Sequence, residues 1–239
     1  LRCATTGYRT LRRQRMPRAD GGRRTTGHAV TGSETQPLVS VITVVFNGAL
    51  HVEETIRAIA GQTYPHVEHI VVDGGSTDGT LDILRRHEDS IGYWLSEKDN
   101  GLYDAMNKGV ALVNDQESYI LFANADDSLY SPDAIARVIS SSRGEDLVYG
   151  KMVLSDDEIS GVAGREVKFG DLARETLCHP ATLVRRRVFD EVGKFDTGFA
   201  IAADYDHIVR CFAAGVSTRF VDVIVSRMRM GGLSDDRFM

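Results

Sequence analysis

The chain has few of the residues that build thiol-based or membrane-spanning structures. Its 239 residues include three cysteines, five prolines and one tryptophan. Cys3, Cys178 and Cys211 form no CxxC pair and no metal-ligand spacing, so we expect free thiols in a reducing compartment. The longest apolar run, 41–46 with Thr43 inside it, is only as long as a strand and too short to span a bilayer. These absences favour a cytoplasmic protein and leave peripheral contact with the inner face of a membrane open.

Positive charge is also scarce outside the first residues. The net charge is −6, yet residues 1–36 hold eight arginines against Asp20 and Glu34 and therefore carry +6, which leaves −12 on the remainder. An acidic body argues against nucleic acid as the main partner and suits binding of cations. Residues 1–36 lack apolar periodicity and are predicted to be a disordered basic arm. A targeting peptide, a nucleic-acid arm and sequence upstream of the true start remain open for this segment.

From Pro37 onward, apolar runs and helical spacing alternate. A strand, a helix and a strand in close succession predict a βαβ unit with parallel strands, and hence an α/β fold with a mixed, mostly parallel central sheet flanked by helices. Residues 155–170 are predicted to be a hairpin or a loop, and His179-Pro180 to be extended. The predicted strands are 38–46, 67–73, 91–96, 118–123, 147–154, 181–184 and 219–228, and the predicted helices are 50–61, 80–87, 101–113, 133–139, 185–192 and 202–214.

Two acidic clusters follow two of the buried strands. Asp73 opens the turn Asp73-Gly74-Gly75-Ser76-Thr77-Asp78-Gly79, and Asn124-Ala125-Asp126-Asp127 follows a later strand. The carboxyl ends of parallel strands share one edge of a sheet, where α/β proteins bind ligands, so we expect the clusters to converge on one ligand. Carboxylates without paired histidines or thiolates favour a hard cation, Mg²⁺ or Mn²⁺, held together with a phosphorylated substrate. Solvated loop acids are the plainer alternative for each cluster taken alone.

A third acidic motif lies on the predicted helix 202–214. Asp204 and Asp206 project about 100° to either side of Tyr205, so the two carboxylates cannot share one role. Asp206 precedes Arg210 by four residues and is predicted to form an ion pair with it. Asp204, in the first turn, is free to face a cleft, and it is our candidate general base.

Motifs occur in a characteristic order at 39–47, 72–80, 101–109, 124–127 and 203–206. Their order and spacing resemble those of the inverting glycosyltransferases of family 2, which have the GT-A fold. The resemblance covers about 38–234, and we interpret 37–239 as one GT-A domain with a nucleotide-binding part, 37–127, and an acceptor and catalytic part, 128–239. The run Tyr-Asp-Ala-Met-Asn-Lys-Gly, the later Cys-His-Pro and the Gly-Gly-Leu-Ser resemble a bacterial branch that serves cell-surface glycan or glycolipid assembly.

The resemblance implies a site for a nucleotide-diphosphate sugar, with a UDP-sugar favoured, and a role for each matched residue. It places the catalytic base at Asp204 and the metal ligand at Asp126, assisted by Asp127. It implies one displacement at the anomeric carbon, with inversion, onto a glycan or glycolipid hydroxyl. The residues that it implies for the donor are Thr43, Val44 and Asn47 near the nucleoside, Asp73 at the base or ribose, Ser76 and Asp78 in the supporting turn, and Asn107, Asn124 and Asp126.

The sequence departs from the family pattern at four positions. Val44 replaces a usual proline, Asn124 replaces the first Asp of the DxD motif, and Ala203 replaces a Glu beside the base. Met106 stands where many members have an arginine, so we expect a cation from Lys108 or Arg185 instead. These differences affect the prediction of the donor more than the prediction of the reaction class.

Two other functions remain open at this point: a non-catalytic protein that binds sugar nucleotides, and a nucleotidyltransferase. The second is disfavoured because no Lys or Arg follows the first strand until Arg57. His179 is interpreted as a neutral buried histidine, with a contact to diphosphate or acceptor as the alternative. Gly231-Gly232 can be either a loop that closes over the donor or an unstructured tail.

Overall fold

Nine β-strands and six α-helices alternate in the part of the chain that the structure, a computed structural model, describes: residues 36–155 and 159–229. The strands are β1 Val39–Val45, β2 Val67–Asp73, β3 Tyr93–Ser96, β4 Tyr119–Phe122, β5 Ser128–Leu129, β6 Leu147–Ser155, β7 Ile159–Ala163, β8 Thr182–Arg185 and β9 Thr218–Arg229. The helices are α1 Val52–Ala60, α2 Thr80–Arg86, α3 Leu102–Leu112, α4 Ala134–Ser141, α5 Val188–Glu191 and α6 Ala203–Ala213.

The first half of the sheet is parallel. β1 lies between β2 and β4, β3 pairs with the outer side of β2, and all three pairings are parallel. Every residue of β1 and of β4 is buried, as expected for strands that are covered on both faces. Met106 and Val110 of α3 pack in one core cluster with Ile42, and Val52 and Ile56 of α1 pack in another with Val45 and Val71.

The second half makes the sheet mixed. β8 pairs antiparallel with β4 and with β6, β9 pairs parallel with β6, and β5 pairs antiparallel with β9. Within the described residues the strands form one sheet in the order β3-β2-β1-β4-β8-β6-β9-β5, with β7 paired to β6. The predicted fold class, a mixed and mostly parallel sheet flanked by helices, is confirmed. The same sheet runs through both parts into which the sequence was divided.

Glycine at one position of α3 lets this helix lie unusually close to the sheet. A Cβ atom built on Gly109 would lie only 2.5 Å from Cγ2 of Ile42 in β1. Side chains cannot approach so closely, and a larger residue would force the helix or the strand to shift. Gly109 therefore sets the distance between α3 and β1.

Several predicted elements differ from the structure. The predicted helix 185–192 is only α5, because Arg185 still belongs to β8. His179-Pro180 begins a single 3₁₀ turn, His179–Ala181, instead of being extended. For 155–170, where a hairpin or a loop was predicted, the structure agrees with the hairpin, since β7 pairs antiparallel with β6. The two-residue strand β5 was not predicted. Residues 1–35 and Gly231-Gly232 lie outside the described residues, and among those described no helix is both long and apolar enough to cross a bilayer.

A buried histidine makes the stability of the fold depend on pH. His69 on β2 is 3% exposed; its Nε2 forms a 2.9 Å hydrogen bond with Oγ1 of Thr43, and its Nδ1 has no partner among the described residues. Burial lowers the pKa of His69 to about 3. Between about pH 3 and about pH 6.5 the unfolded chain therefore binds a proton that the folded chain does not, so His69 makes stability fall as the pH falls.

We expect the substitution His69→Gln to reduce this pH dependence. When the pH is lowered from about 7.5 to about 5, protonation of His69 in the unfolded chain lowers the free energy of unfolding by about 2 kcal/mol. Urea unfolding at both pH values measures the difference for the natural chain and the variant. His66→Gln replaces an exposed histidine three residues earlier in the chain and is the control. It should keep the full difference in the free energy of unfolding between the two pH values. An unchanged difference in His69→Gln would contradict the assignment.

Candidate active site

The carboxyl ends of β1, β2 and β4 meet at one edge of the sheet. The N–H of Gly74, just after β2, donates to the carbonyl of Val45 at 2.9 Å. On the other side, the N–H of Ala125, after β4, donates to the carbonyl of Val44 at 3.2 Å. The structure therefore brings the two acidic clusters to either side of the β1 end.

Asp73 fixes the turn that follows β2. Its Oδ2 accepts hydrogen bonds from the N–H groups of Gly75 at 3.0 Å and Ser76 at 3.1 Å, and from the hydroxyl of Ser96 at 2.6 Å. The residue is fully buried. Because its oxygens serve the turn and the neighbouring strand β3, the structure shows Asp73 as a structural carboxylate. Its predicted contact with the donor's base or ribose stays a prediction.

The loops after β1 and β2 are tied together by side chains. The N–H of Asn47 donates to Oγ of Ser76 at 2.7 Å, and the N–H of Thr77 donates to Oδ1 of Asn47 at 2.9 Å. Asp78 accepts from the N–H of Ala49 at 3.0 Å, and its bonds, first the one from the Thr80 hydroxyl, hold its pKa below the usual range. Asn47, Ser76 and Asp78 thus lie together, as predicted, and build a rigid rim at this edge.

Three residues that were predicted to bind the donor have other surroundings. The hydroxyl of Thr43 is buried against His69, and Val44 packs in the apolar core. Both polar atoms of the Asn107 side chain are bonded to the backbone of Phe195, Nδ2 to its carbonyl at 2.8 Å and Oδ1 to its N–H at 3.1 Å. Donor contacts through these three side chains are not supported by the structure, because each is occupied by packing or hydrogen bonds.

The turn after β4 presents two carboxylates in different environments. Asp127 is 3% exposed, and its Oδ2 accepts from the N–H of Asn124 at 3.2 Å. Burial, reinforced by the neighbouring Asp126 charge, raises the pKa of Asp127 to about 8. Asp126 is only half-buried. The structure thus supports Asp126 as a ligand for a cation more than Asp127.

The same turn has a polar atom that is suited to a cation. Oδ1 of Asn124 is buried and has no hydrogen-bond partner among the described residues, whereas most buried polar atoms are paired. The part of the chain that the structure describes holds no group of three or more His, Cys, Asp or Glu side chains that could bind a metal by themselves. Asp126 and Asn124 therefore fit an ion of the Mg²⁺ or Mn²⁺ kind, which takes few protein ligands and its remaining ligands from phosphate and water.

Asp204 lies in the first turn of α6, and Tyr103 of α3 holds it in place. The hydroxyl of Tyr103 donates to Oδ1 of Asp204 at 2.8 Å. Burial, together with the Asp204 charge, raises the pKa of Tyr103, so this hydroxyl keeps its proton and acts as a donor. The predicted ion pair of Asp206 with Arg210 is present at 2.9 Å. No role was predicted for Tyr103, because from the sequence it resembles any aromatic residue of a helix that faces the core.

His179 lies close to Asp204 under the end of β4. Its ring stacks on Phe122 with a centroid distance of 5.1 Å, and it lines one cavity together with Asp204. Burial lowers the pKa of His179, which agrees with a neutral buried histidine.

The two predicted cations have different positions. Nζ of Lys108 lies 3.1 Å from Oε1 of Glu97 and 3.5 Å from Oδ2 of Asp104, so its charge is already paired near the start of α3. Arg185 lies over the ring of Tyr119, its partner in the antiparallel pairing of β8 with β4, 3.9 Å from the ring centroid. Tyr119 begins β4, and therefore Arg185 lies at the opposite edge of the sheet. The prediction for Arg185 is wrong.

A mixed sheet with acidic turns at the carboxyl ends of its parallel strands agrees with the GT-A fold of glycosyltransferases. The sequence matches the model of the family described as glycosyl transferase family 2 over residues 40–193. A Mycobacterium bovis protein named PGL/p-HBAD biosynthesis glycosyltransferase is 36% identical over 207 residues, which cover 83% of this chain and 80% of that protein. The chain belongs to glycosyltransferase family 2, and the predicted class of enzyme is confirmed.

Two solved structures have the same fold. S. aureus TarS 1-349 in complex with UDP-GlcNAc has a TM-score of 0.67 and 18% identity, with 82% of this chain and 59% of that one covered. The mannosyltransferase PcManGT from Pyrobaculum calidifontis, in complex with GDP-Man and Mn²⁺, has a TM-score of 0.64 and 20% identity, with 81% and 57% covered. The chain thus spans less than two thirds of either protein chain in these structures.

We expect Asp73→Asn to destabilise the fold even when no nucleotide is present. An asparagine can place its oxygen where Oδ2 lies, but it then buries an NH₂ group at the Oδ1 position, opposite the N–H of Ser76. It also loses the charge that strengthens the three hydrogen bonds to Oδ2. The free energy of unfolding, measured with urea, should fall by about 2–3 kcal/mol. Asp82→Asn removes an exposed carboxylate from α2 and should change it by less than about 0.5 kcal/mol. Equal stability of the two variants would argue that Asp73 serves only the ligand.

Proposed function

We propose that the chain is a metal-dependent inverting glycosyltransferase that moves a sugar from a nucleotide-diphosphate sugar to a hydroxyl of a glycan or glycolipid acceptor. The observation that carries the proposal is the position of Asp204 relative to β4. Phe122 ends β4 and lines the same cavity as Asp204, and the chain continues directly from it to Asn124 and the acidic turn. A base for the acceptor and a site for the departing diphosphate therefore flank one strand end.

In the proposed reaction, Asp204 takes the proton from the acceptor hydroxyl while the hydroxyl oxygen attacks the anomeric carbon. The bond between that carbon and the diphosphate oxygen breaks, and its electron pair leaves with the nucleoside diphosphate. One such displacement inverts the configuration at the anomeric carbon. The hydrogen bond from Tyr103 fixes the carboxylate of Asp204 during this step, because it holds Oδ1 and leaves Oδ2 to the acceptor.

The donor is proposed to lie along the edge formed by the ends of β1, β2 and β4. The rim of Asn47, Ser76 and Asp78, fixed by Asp73, frames the nucleoside. Asp126 and Oδ1 of Asn124 would hold a divalent cation, with Asp127 bracing the turn through the Asn124 backbone. A bound Mg²⁺ or Mn²⁺ would stabilise the charge that develops on the leaving group.

The comparisons with known proteins support the proposed classes of donor, cation and acceptor. TarS was solved with UDP-GlcNAc and PcManGT with GDP-Man and Mn²⁺, which supports a nucleotide-sugar donor and a divalent cation. The M. bovis relative is named for PGL/p-HBAD biosynthesis, which supports an acceptor of the bacterial cell envelope. We propose a UDP-sugar as the first donor to test.

We expect Asp126→Asn to weaken donor binding only when the cation is present. The loss of one charged ligand should raise the Kd of a UDP-sugar with Mn²⁺ by about tenfold or more. Calorimetric titration with Mn²⁺ and with a chelator separates the metal-dependent part. Asp89→Asn, which removes an exposed charge from the turn after α2, should bind as the natural chain does. If Asp126→Asn and the natural chain bind alike with Mn²⁺, the proposed ligand is wrong.

We expect Asp204→Asn to abolish turnover and to keep the affinity for the donor. A lost general base lowers kcat by about 10²- to 10⁴-fold. Asp206→Asn, two residues along the same helix and paired with Arg210, is the matched control and should keep kcat within a few-fold. The assay is a panel of UDP-, GDP- and dTDP-sugars with Mn²⁺ or Mg²⁺, with the anomeric configuration of the product read by NMR.

Three outcomes of this panel would contradict the proposal. A protein that binds sugar nucleotides without catalysis would show no turnover for Asp204→Asn to lose. Retention of configuration would exclude the single displacement. If no nucleotide sugar binds with either cation, the donor site itself is wrong.

A further inference from the structure

A small cavity with mainly apolar walls and a few polar groups lies on the inner side of Asp204, between β4, β8, α5 and α6. His179 and His207 line it together with Asp204, and aromatic rings close its walls. The space that the centre of a water molecule can occupy is about 10 Å³. This is close to the smallest volume that holds one buried water.

Both histidines present an unpaired nitrogen in this region. Nε2 of His179 and Nε2 of His207 are buried and have no hydrogen-bond partner within the residues that the structure describes. Stacking fixes both rings: His179 lies on Phe122, and His207 lies on Phe189 with a centroid distance of 4.5 Å and an angle of 15°. Two buried polar atoms that are held so firmly require a partner, since an unpaired buried group is costly.

The other ring nitrogen of His207, Nδ1, lies 3.7 Å from Sγ of Cys211, and burial raises the pKa of that thiol to about 12, so the thiol keeps its proton. Either of these two atoms can donate to the other, because a protonated thiol is both a weak donor and a weak acceptor. A bound water suits Nε2 in both tautomers, since water both donates and accepts hydrogen bonds. Burial lowers the pKa of His207 itself to about 3, so this ring is neutral at working pH.

We propose that the cavity holds one water molecule bound between His179, His207 and the carboxylate of Asp204, and that both histidines are positioning residues for Asp204. Two to four polar partners are what a buried water needs. Thr182, whose hydroxyl donates to the carbonyl of Cys178 at 2.8 Å, offers a further acceptor in the wall. The inference rests on the proposed role of Asp204 as general base.

Hydrogen bonds, not opposite charges, then stabilise the ionised form of Asp204. The groups that face it are the Tyr103 hydroxyl from α3, His179 from the turn before β8 and His207 from α6. Arg210, the nearest cation on α6, is held by Asp206 and by the carbonyls of 192–194. Removing a histidine therefore weakens the support of the carboxylate without removing a charge.

The test compares apolar and hydrogen-bonding replacements of each histidine. His179→Phe and His207→Phe should each lower kcat about tenfold and move the acid limb of the kcat profile up by about one pH unit, with the KM for the donor unchanged. His179→Gln and His207→Gln should restore both values in large part. His69→Phe, a buried histidine on β2, is the control: it changes stability but leaves the acid limb in place.

The outcomes separate this inference from the proposed function. If Asp204→Asn keeps its turnover, the general base is wrong. If Asp204→Asn loses turnover while both Phe variants keep the natural acid limb, or while the Gln variants behave as the Phe variants do, only the positioning role is wrong. A high-resolution crystal structure of the natural chain tests the water directly and does not depend on any variant. Density for a water within hydrogen-bond distance of both Nε2 atoms supports the inference, and its absence overturns it.

Discussion

The hydrogen bonds of the buried Asp73 carboxylate are the interaction on which the edge formed by the ends of β1, β2 and β4 depends. Because it accepts two backbone N–H groups and the hydroxyl of Ser96, the turn after β2 has one conformation and is attached to β3. Ser76 and Asp78, fixed in this way, then hold the loop after β1. The rim is therefore formed before any ligand arrives, and binding need not order it. Such preorganisation reduces the entropy that a ligand must overcome.

The two sides of the site are joined through β4. One end of the short buried run 119–122 leads into the acidic turn, and the side chain of its last residue, Phe122, forms part of the wall next to Asp204. A strand buried on both faces moves little, so the distance between the acidic turn and the carboxylate of Asp204 is set by the core of the protein rather than by a loop. This arrangement suits a reaction whose reacting atoms must be aligned closely.

The predictions that the structure confirms depend on residues that are close together in the sequence. β2 was predicted with its true bounds because Ile70, Val71 and Val72 form an apolar run that ends in a charge and two glycines. The ion pair of Asp206 with Arg210 was predicted correctly because the two residues are one helical turn apart. The contact of Tyr103 with Asp204 joins residues 101 positions apart and leaves no local trace. Thr43 and Asn107 were given donor roles because a motif shows which residues recur and not which way their side chains face.

Gly109 in α3 limits the substitutions that this enzyme can accept at the contact between α3 and β1. Alanine at position 109 would favour the helix by about 1 kcal/mol, yet its methyl group would meet Ile42. The same helix carries Tyr103, so a helix lifted from the sheet would carry the phenol away from Asp204. The packing of Gly109 against β1 thus sets the position of the Tyr103 hydroxyl and, through its hydrogen bond, the orientation of the Asp204 carboxylate. A residue without a side chain, in an ordinary packing contact, therefore controls the alignment of the proposed base on another helix.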